Sequence, residues 1–432
     1  MTRLLFWLAL GGSGLIVAAS PTVDRRAEAI EADVIAWRHH LHAHPELSNE
    51  EKETAAYIAQ RLERIGVDEL KTGVAGHGVV ALIKGTKPGP VVALRADMDA
   101  LPVTEQTGLP YASTVRANYG GKEVGVMHAC GHDAHVAILL GAAEVLAGMR
   151  DELTGSVKLI FQPAEEGAYP APKWGAKLMI EEGVLEQPTV DAIFGLHVWS
   201  GEPSGTLSFR SGPFMASSDF LRITVTGRQT HAARPWGGID PITVSAQIVL
   251  GLQTIASRQV NILAGPSLVS IGTISGGERN NIIPDEVVMT GTIRTFDPDV
   301  RAAYHERIKT TAESIAAASG ATAEVYIGSD TGYSPTINDP ELTAAMADVF
   351  TQVVGAENVK TAPMVTPAED FSFYQEKVPG LYFSLGVCPP DIDPATAASN
   401  HSPRFVVDDA ALVTGVRAMA TMAVEYLARH AE

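Results

Sequence analysis

A run of short apolar segments, each leading into a group able to do chemistry, constrains this chain more than any other feature. Val79-Val80-Ala81-Leu82-Ile83 and Val91-Val92-Ala93-Leu94 are continuous apolar stretches bounded by Gly and Pro, the pattern of strands buried on both faces. The second runs into Arg95-Ala96-Asp97-Met98-Asp99-Ala100-Leu101-Pro102, so Asp97 and Asp99 stand together at a strand end. Val157 to Phe161 leads to Gln162-Pro163-Ala164-Glu165-Glu166-Gly167, and Val190 to Leu196 delivers His197. Open α/β sheets bind ligands just outside the carboxyl ends of their strands. A single acid there is more often a solvated turn charge, but the repetition argues for a site.

Met127-His128-Ala129-Cys130-Gly131-His132-Asp133-Ala134-His135 gathers a thiol, imidazoles and a carboxylate, all ligands for a divalent metal once deprotonated or neutral. An apolar run with helical spacing follows from Val136, which puts the cluster on a loop entering a helix. An isolated Cys-x-His is as often a core cysteine beside surface histidines, so the other segments carry the decision. His128 and His135 are weaker candidates than Cys130 and His132, equally suited to supporting or surface roles.

At 432 residues the chain exceeds what one hydrophobic core usually organises, which predicts two domains. Helical spacing runs from Val23 to His42. Ser48 with Glu51 three residues on reads as a capping box for a second helix that Gly66 closes. From Gly212-Pro213 the texture changes. A strand (Phe220 to Val225), a helix (Pro241 to Arg258), two strands (Leu268 to Ile274 and Val287 to Arg294), a helix (Pro298 to Ser319) and a strand (Ala323 to Ile327) follow. That β-α-β-β-α-β order is a ferredoxin-like α+β unit, inserted at 213–329 into an α/β domain formed by 20–212 and 330–432. The second part of that domain contributes a helix (Glu341 to Val354), a strand (Leu381 to Leu385) and a helix (Ala410 to Ala428).

Hydrophobic residues make up 46% of the chain, as in well-packed globular proteins. A net charge of −18 without a basic patch argues against nucleic acid as a partner. The 2 cysteines are Cys130 and Cys388; a disulfide between them is conceivable, but Cys130 lies in the histidine cluster, where a thiolate ligand is the stronger reading. Met1-Thr2-Arg3, the apolar Leu4 to Val17 and Val17-Ala18-Ala19 read as a signal peptide over 1–19. The expectation is an exported protein, secreted or periplasmic, with no membrane span after processing.

Taken together, Arg95 to Pro102, Met127 to His135, Gln162 to Gly167, Gly195-Leu196-His197, His231-Ala232-Ala233-Arg234-Pro235, Glu369-Asp370-Phe371 and Asn400-His401-Ser402-Pro403 resemble, in order, the motifs of one family. It is the amidohydrolase branch of the di-metal aminoacylase and carboxypeptidase peptidases, which includes hippurate hydrolases, N-acetyldiaminopimelate deacetylases and auxin-conjugate hydrolases. The resemblance implies a zinc-peptidase-like catalytic domain with an inserted lid and dimerisation domain, and a homodimer. It implies two divalent ions, zinc or manganese, held by Cys130, His132, Glu166, His197 and His401, with Glu165 as general base and Asp97 and Asp99 supporting the site. The link Ala168 to Trp174 is longer than in many relatives, which leaves the pocket rim open at that point.

The chemistry fits these residue types on its own terms. Amide hydrolysis at neutral pH needs a hydroxide, and a bound divalent ion lowers the pKa of water from ~15.7 to ~7. An unligated Glu takes the proton and passes it to the departing nitrogen. The substrates that the family resemblance implies are N-acyl amino acids or small peptides. Arg294 and Asn281 are candidates to meet a substrate carboxylate or an oxyanion, and equally suit ordinary strand-end and turn roles. His231 is a candidate oxyanion donor, delivered either by closure within one chain or across a dimer. A broad-specificity carboxypeptidase or dipeptidase is the alternative, and an inactive exported binding protein a further one, against which the presence of Glu165 argues.

Overall fold

The computed structural model describes residues 21–167, 173–328 and 332–431. The expected signal segment 1–19, residues 168–172 of the lengthened link and the domain boundary near 330 lie outside them.

The larger domain is built on an eight-stranded sheet in the order Glu69–Val74, Gly78–Lys84, Thr154–Gln162, Lys87–Asp97, Ala192–Pro203, Gly380–Cys388, Leu207–Phe209 and Val359–Thr361. The inner pairs Lys87–Asp97 with Thr154–Gln162, Lys87–Asp97 with Ala192–Pro203, and Ala192–Pro203 with Gly380–Cys388 are parallel. Their carboxyl ends therefore open on one side of the sheet. Helices cover both faces, the arrangement that buries a parallel sheet. One face packs under His132–Ala147, Leu412–Arg429, Glu31–Ala43, Lys52–Ile65 and Pro340–Val354. Gly175–Glu181 and the segment around Phe371 and Tyr374 cover part of the other. Leu94, Leu139, Leu159 and Phe194 are wholly excluded from solvent, and each such side chain contributes about 1.5–3 kcal/mol relative to exposure.

The apolar stretches predicted as strands form the centre of this sheet. Two expectations change. The first long helix divides into Pro21–Ala29 and Glu31–Ala43, broken at Ile30. The capping box does not form: the next helix begins at Lys52, and its free amides are taken by Glu46, which accepts from Glu53 N at 3.1 Å and Thr54 N at 2.8 Å. Ser48 and Glu51 turn inward, where buried polar partners outbid a solvated helix end. Gly66 does close that helix, at φ 79°.

The inserted unit has a four-stranded sheet in the order Ser267–Ser275, Glu286–Thr295, Asp219–Thr226, Thr322–Ile327, all pairs antiparallel. With strands counted along the chain this is 2-3-1-4, the ferredoxin-like topology. Alternate residues Leu221, Ile223 and Val225 face the helices Pro241–Thr254 and Pro298–Ala318 in a core of their own. Gly212–Met215 pairs with Thr336–Asn338 where the chain leaves and re-enters the larger domain. Cys130 and Cys388 are both free and buried, so the disulfide alternative is not realised. Among the described residues one helix is long and apolar enough to cross a membrane, Asp409–Arg429, and 78% of its apolar window is buried inside the protein.

Candidate active site

The strand ends deliver the expected groups to one place. Asp97 is the last residue of Lys87–Asp97, and Glu165 and Glu166 follow Thr154–Gln162 by a tight turn. His197 lies inside its strand rather than after it, because Ala192–Pro203 continues past it. His132 opens the helix His132–Ala147, with Gly131 before it at φ 95°. A Cβ on Gly131 would collide with Val198, so glycine is required for the strand and the helix to approach closely enough to share ligands. His401 arrives from the C-terminal part at φ 71°, its N–H held by Ala129 O at 2.7 Å.

Their ligand atoms converge. Cys130, His132 and His197 form one cluster, Cys130, Glu166 and His401 another, and His132, Glu165 and Glu166 a third, each with donor atoms within 4.8 Å of one another. The rings are oriented as metal ligands are. His132 Nδ1 lies 2.8 Å from Asp99 O, which leaves Nε2 buried without a hydrogen-bond partner, 3.7 Å from Asp97 Oδ1. His197 Nδ1 lies 2.7 Å from Val198 O, and its Nε2 is 3.4 Å from Cys130 Sγ. Histidine ligands characteristically donate their other ring proton to a carbonyl or carboxylate. Glu166 Oε1 is likewise buried and lies 3.2 Å from His401 Nε2. A set that joins a thiol, imidazoles and a carboxylate, with His132 Nε2 buried and lacking a hydrogen bond, suits a divalent transition metal.

The neighbouring histidines serve otherwise. His135 is committed at both nitrogens, to Asp97 Oδ1 at 2.5 Å and to Val198 N at 2.9 Å. It fixes Asp97 against the sheet. His128 is buried with neither ring nitrogen bonded, and burial lowers its pKa to about 4. Asp133 points away, binding Arg38 Nε at 3.0 Å and His42 Nδ1 at 2.9 Å, and anchors the metal-side helix to the first helices.

Beneath the acids lies a buried guanidinium. Arg95 reaches Asp97 at 2.6 Å, Gln162 at 2.9 Å, Asp370 at 2.8 Å and Glu369 at 3.0 Å. Glu369 also accepts from Tyr382 Oη at 2.7 Å. Burial, with the charges of Glu369, Glu166 and Asp370, pushes the Glu165 carboxyl well above the usual carboxylate range. Burial, with Glu166 beside it, also raises the Cys130 thiol. So many mutually repelling acids around one point are what a bound cation offsets.

These groups border a cavity of about 790 Å³ whose walls include Trp174, Trp199, Met215 and Tyr333. Arg294, Ser218 and Tyr333 bring residues near the inserted unit to its edge. The Arg294 side chain donates to Ser217 O at 3.3 Å, and burial lowers its pKa. His231 and Asn281 do not line the cavity. Both are exposed on neighbouring short segments of the inserted unit, where Ala232 N donates to Asn281 O at 3.0 Å. A second cleft of about 680 Å³ near Arg301 and His305 holds none of the site groups, and both side chains there serve Asp219. Sequence reasoning missed Glu51, Ser48, Tyr333 and Trp199 as parts of this region, while Trp174 ends the link that the sequence singles out at the pocket rim. Among the missed residues the misread Ser48–Glu51 pair carried a signal.

Comparison with known proteins agrees with this geometry. A profile of the peptidase family M20/M25/M40 matches residues 93–425. The chain is similar to thermostable carboxypeptidase 1 of Saccharolobus solfataricus, 42% identical over 92% of this chain and 96% of the relative. It is similar to an N-acetyl-L-cysteine deacetylase of Bacillus subtilis, 41% identical over 93% and 90% of the two chains. Among solved structures it is similar to the Bacillus subtilis YXEP protein, a dinuclear metal-binding peptidase, with a TM-score of 0.77, 37% identity and coverage of 93% and 99%. The chain is an amide-bond hydrolase that uses divalent metal, and it belongs to the peptidase family M20/M25/M40.

Proposed function

We propose that this protein hydrolyses the amide bond of N-acyl amino acids, with Glu165 as general base. The observation that carries the reading is the buried Glu165 carboxyl set among metal-type donors, at the edge of a cavity that also holds an arginine. Cys130, His132, Glu166, His197 and His401 are the residues that would hold two divalent ions, zinc or manganese. When bound, such ions lower the pKa of water and polarise a carbonyl. Glu165 takes the proton of the attacking water and returns it to the departing nitrogen, a role for which a raised pKa is an advantage. Asp99 and Val198 O fix the tautomers of His132 and His197. Asp97, held between Arg95 and His135, keeps the strand end rigid.

Arg294 receives the carboxylate of the amino-acid portion by a charge-assisted hydrogen bond, and the aromatic walls take the acyl group. Asn281 and His231 act at the oxyanion when brought to the cavity by closure or by a second subunit. Support for a homodimer comes from the inserted unit, where the edge strand Ser267–Ser275 and Leu250, 71% exposed, offer unpaired hydrogen-bonding groups and apolar surface. The N-terminal pattern supports export; N-terminal sequencing of the mature protein should return a start near Ser20, and a soluble cytoplasmic form retaining Met1 would contradict it.

The carboxypeptidase relative supports a second reading, in which dipeptides are the better substrates. Comparing kcat/KM for acylated single amino acids with that for dipeptides separates the two. Higher values for the acylated amino acids are expected here, and a reversed order would favour the peptidase reading.

A further inference from the structure

The turn that carries Glu165 is strained. Ala164, fully buried, sits at φ 53°, in the left-handed region where a non-glycine residue costs of order 1–3 kcal/mol and persists only if its surroundings hold it there. Two buried carboxyls supply that hold. Glu51 Oε1 accepts the Ala164 N–H at 2.8 Å. Asp99 Oδ2 accepts the Glu166 N–H at 3.0 Å and a hydrogen bond from Ser48 Oγ at 2.6 Å. The amides on either side of Glu165 are therefore fixed by different loops, while its own carbonyl accepts from Tyr333 Oη.

Glu51 stands at the start of its helix without capping it: it is wholly excluded from solvent, and the amides of the helix's first turn are served by Glu46. A carboxyl buried at such a cost is explained by what it holds in place. We infer that Glu51 is a positioning residue for amide hydrolysis: by accepting the Ala164 N–H it locks the left-handed turn that aims the Glu165 carboxyl at the reacting amide. This rests on Glu165 being the general base.

Reach, rather than charge, is the property required. Glu51→Gln keeps an acceptor oxygen at the same distance. Glu51→Asp keeps the carboxylate but draws it back by about one carbon–carbon bond, beyond hydrogen-bonding range of Ala164 N. The experiment measures kcat, KM and bound metal for Glu51→Gln, Glu51→Asp, the double variant Glu51→Asp/Ala164→Gly and Glu165→Gln. Glu51→Asp should lose kcat by about 10- to 100-fold, the penalty of a misplaced catalytic group, with KM and metal content within about twofold. Glu51→Gln should stay within about threefold of wild type. Ala164→Gly should restore part of the lost kcat in the double variant, because glycine adopts the left-handed conformation without a steric cost; loss of a merely structural contact would not be suppressed in this way. Wild-type kcat in Glu51→Asp, or equal loss in Glu51→Gln and Glu51→Asp, would overturn the inference while leaving the base assignment intact. Wild-type turnover in Glu165→Gln would overturn both.

Discussion

The two regions that the proposed reaction requires are built in opposite ways. Around the strand ends, Asp97, Asp99, His132, Glu165 and His197 are all at most 7% exposed, and each is held, through its side chain or through the turn that carries it, by a named partner. In the inserted unit His231 and Asn281 face solvent, and the one internal bond at His231 Nδ1 comes from the nearby Ala233 N at 3.0 Å. The difference teaches where the work of assembly is done. The metal-side groups are preorganised by folding, so their cost is met within the domain. His231 and Asn281 do not line the cavity, so the role proposed for them requires a further event, domain closure or docking of a second chain.

The largest effect should fall on the preorganised side. Glu165→Gln should keep fold and metal and lose about 10²- to 10⁴-fold in kcat, the usual share of general base catalysis. Turnover within a few-fold of wild type would remove Glu165 from the mechanism and with it the sharpest contrast between the regions.

The exposed side is tested by His231→Ala, expected to cost about 10²- to 10³-fold if the ring is an oxyanion donor. Mixing this chain with Glu165→Gln distinguishes the two routes. An equal mixture of freely exchanging subunits should recover roughly a quarter of wild-type activity if His231 acts across a dimer. No recovery, with exchange verified independently, would assign it to closure within one chain.

Arg294 stands between the regions, at the cavity edge but on an inserted strand. Arg294→Ala should raise KM by about 10- to 100-fold through loss of a charge-assisted hydrogen bond, with a smaller change in kcat. Unchanged KM for an N-acyl amino acid would remove it from substrate binding.

The smallest expected effect concerns stability. Gly141 lies inside the helix His132–Ala147, where an added Cβ would come 2.6 Å from Val416 Cγ2 and 2.9 Å from Val34 Cγ2. Gly141→Ala would gain about 1 kcal/mol of helix propensity and lose about 1–3 kcal/mol to overpacking, so a modest net fall in denaturation midpoint is expected. Leu250→Ala, on the exposed side, should leave the chain's own stability within about 0.5 kcal/mol and weaken self-association instead. An unfolding midpoint that drops more for Leu250→Ala than for Gly141→Ala, at a protein concentration where the chain is monomeric, would reverse the contrast.

The sequence made the buried region legible because burial leaves a periodic trace. Continuous runs such as Val91 to Leu94 announce strands buried on both faces, and the acids that follow them stand out against apolar neighbours. The ferredoxin-like order was legible for the same reason, since Leu221, Ile223 and Val225 alternate with exposed residues. Side-chain direction was not. Ser48 and Glu51 have the spacing of a capping box, and the spacing alone cannot tell a solvated helix end from a loop folded over the Glu165 turn. His135 and His132 are three residues apart on one helix, yet only His132 keeps a free ring nitrogen, because Val198 N, distant in sequence, occupies the other. Such assignments depend on long-range partners that local patterns do not encode.

The central claim, that metal-dependent amide hydrolysis takes place at this cluster, is tested most directly by release of free amino acid from a panel of N-acyl amino acids before chelation, after it, and after readdition of zinc or manganese. The account predicts release that disappears with the metal, returns on readdition in the wild type, and returns far less in Cys130→Ser, whose metal content should be reduced. Release that persists in enzyme shown by elemental analysis to be free of metal, or Cys130→Ser with unchanged metal content and turnover, would contradict it.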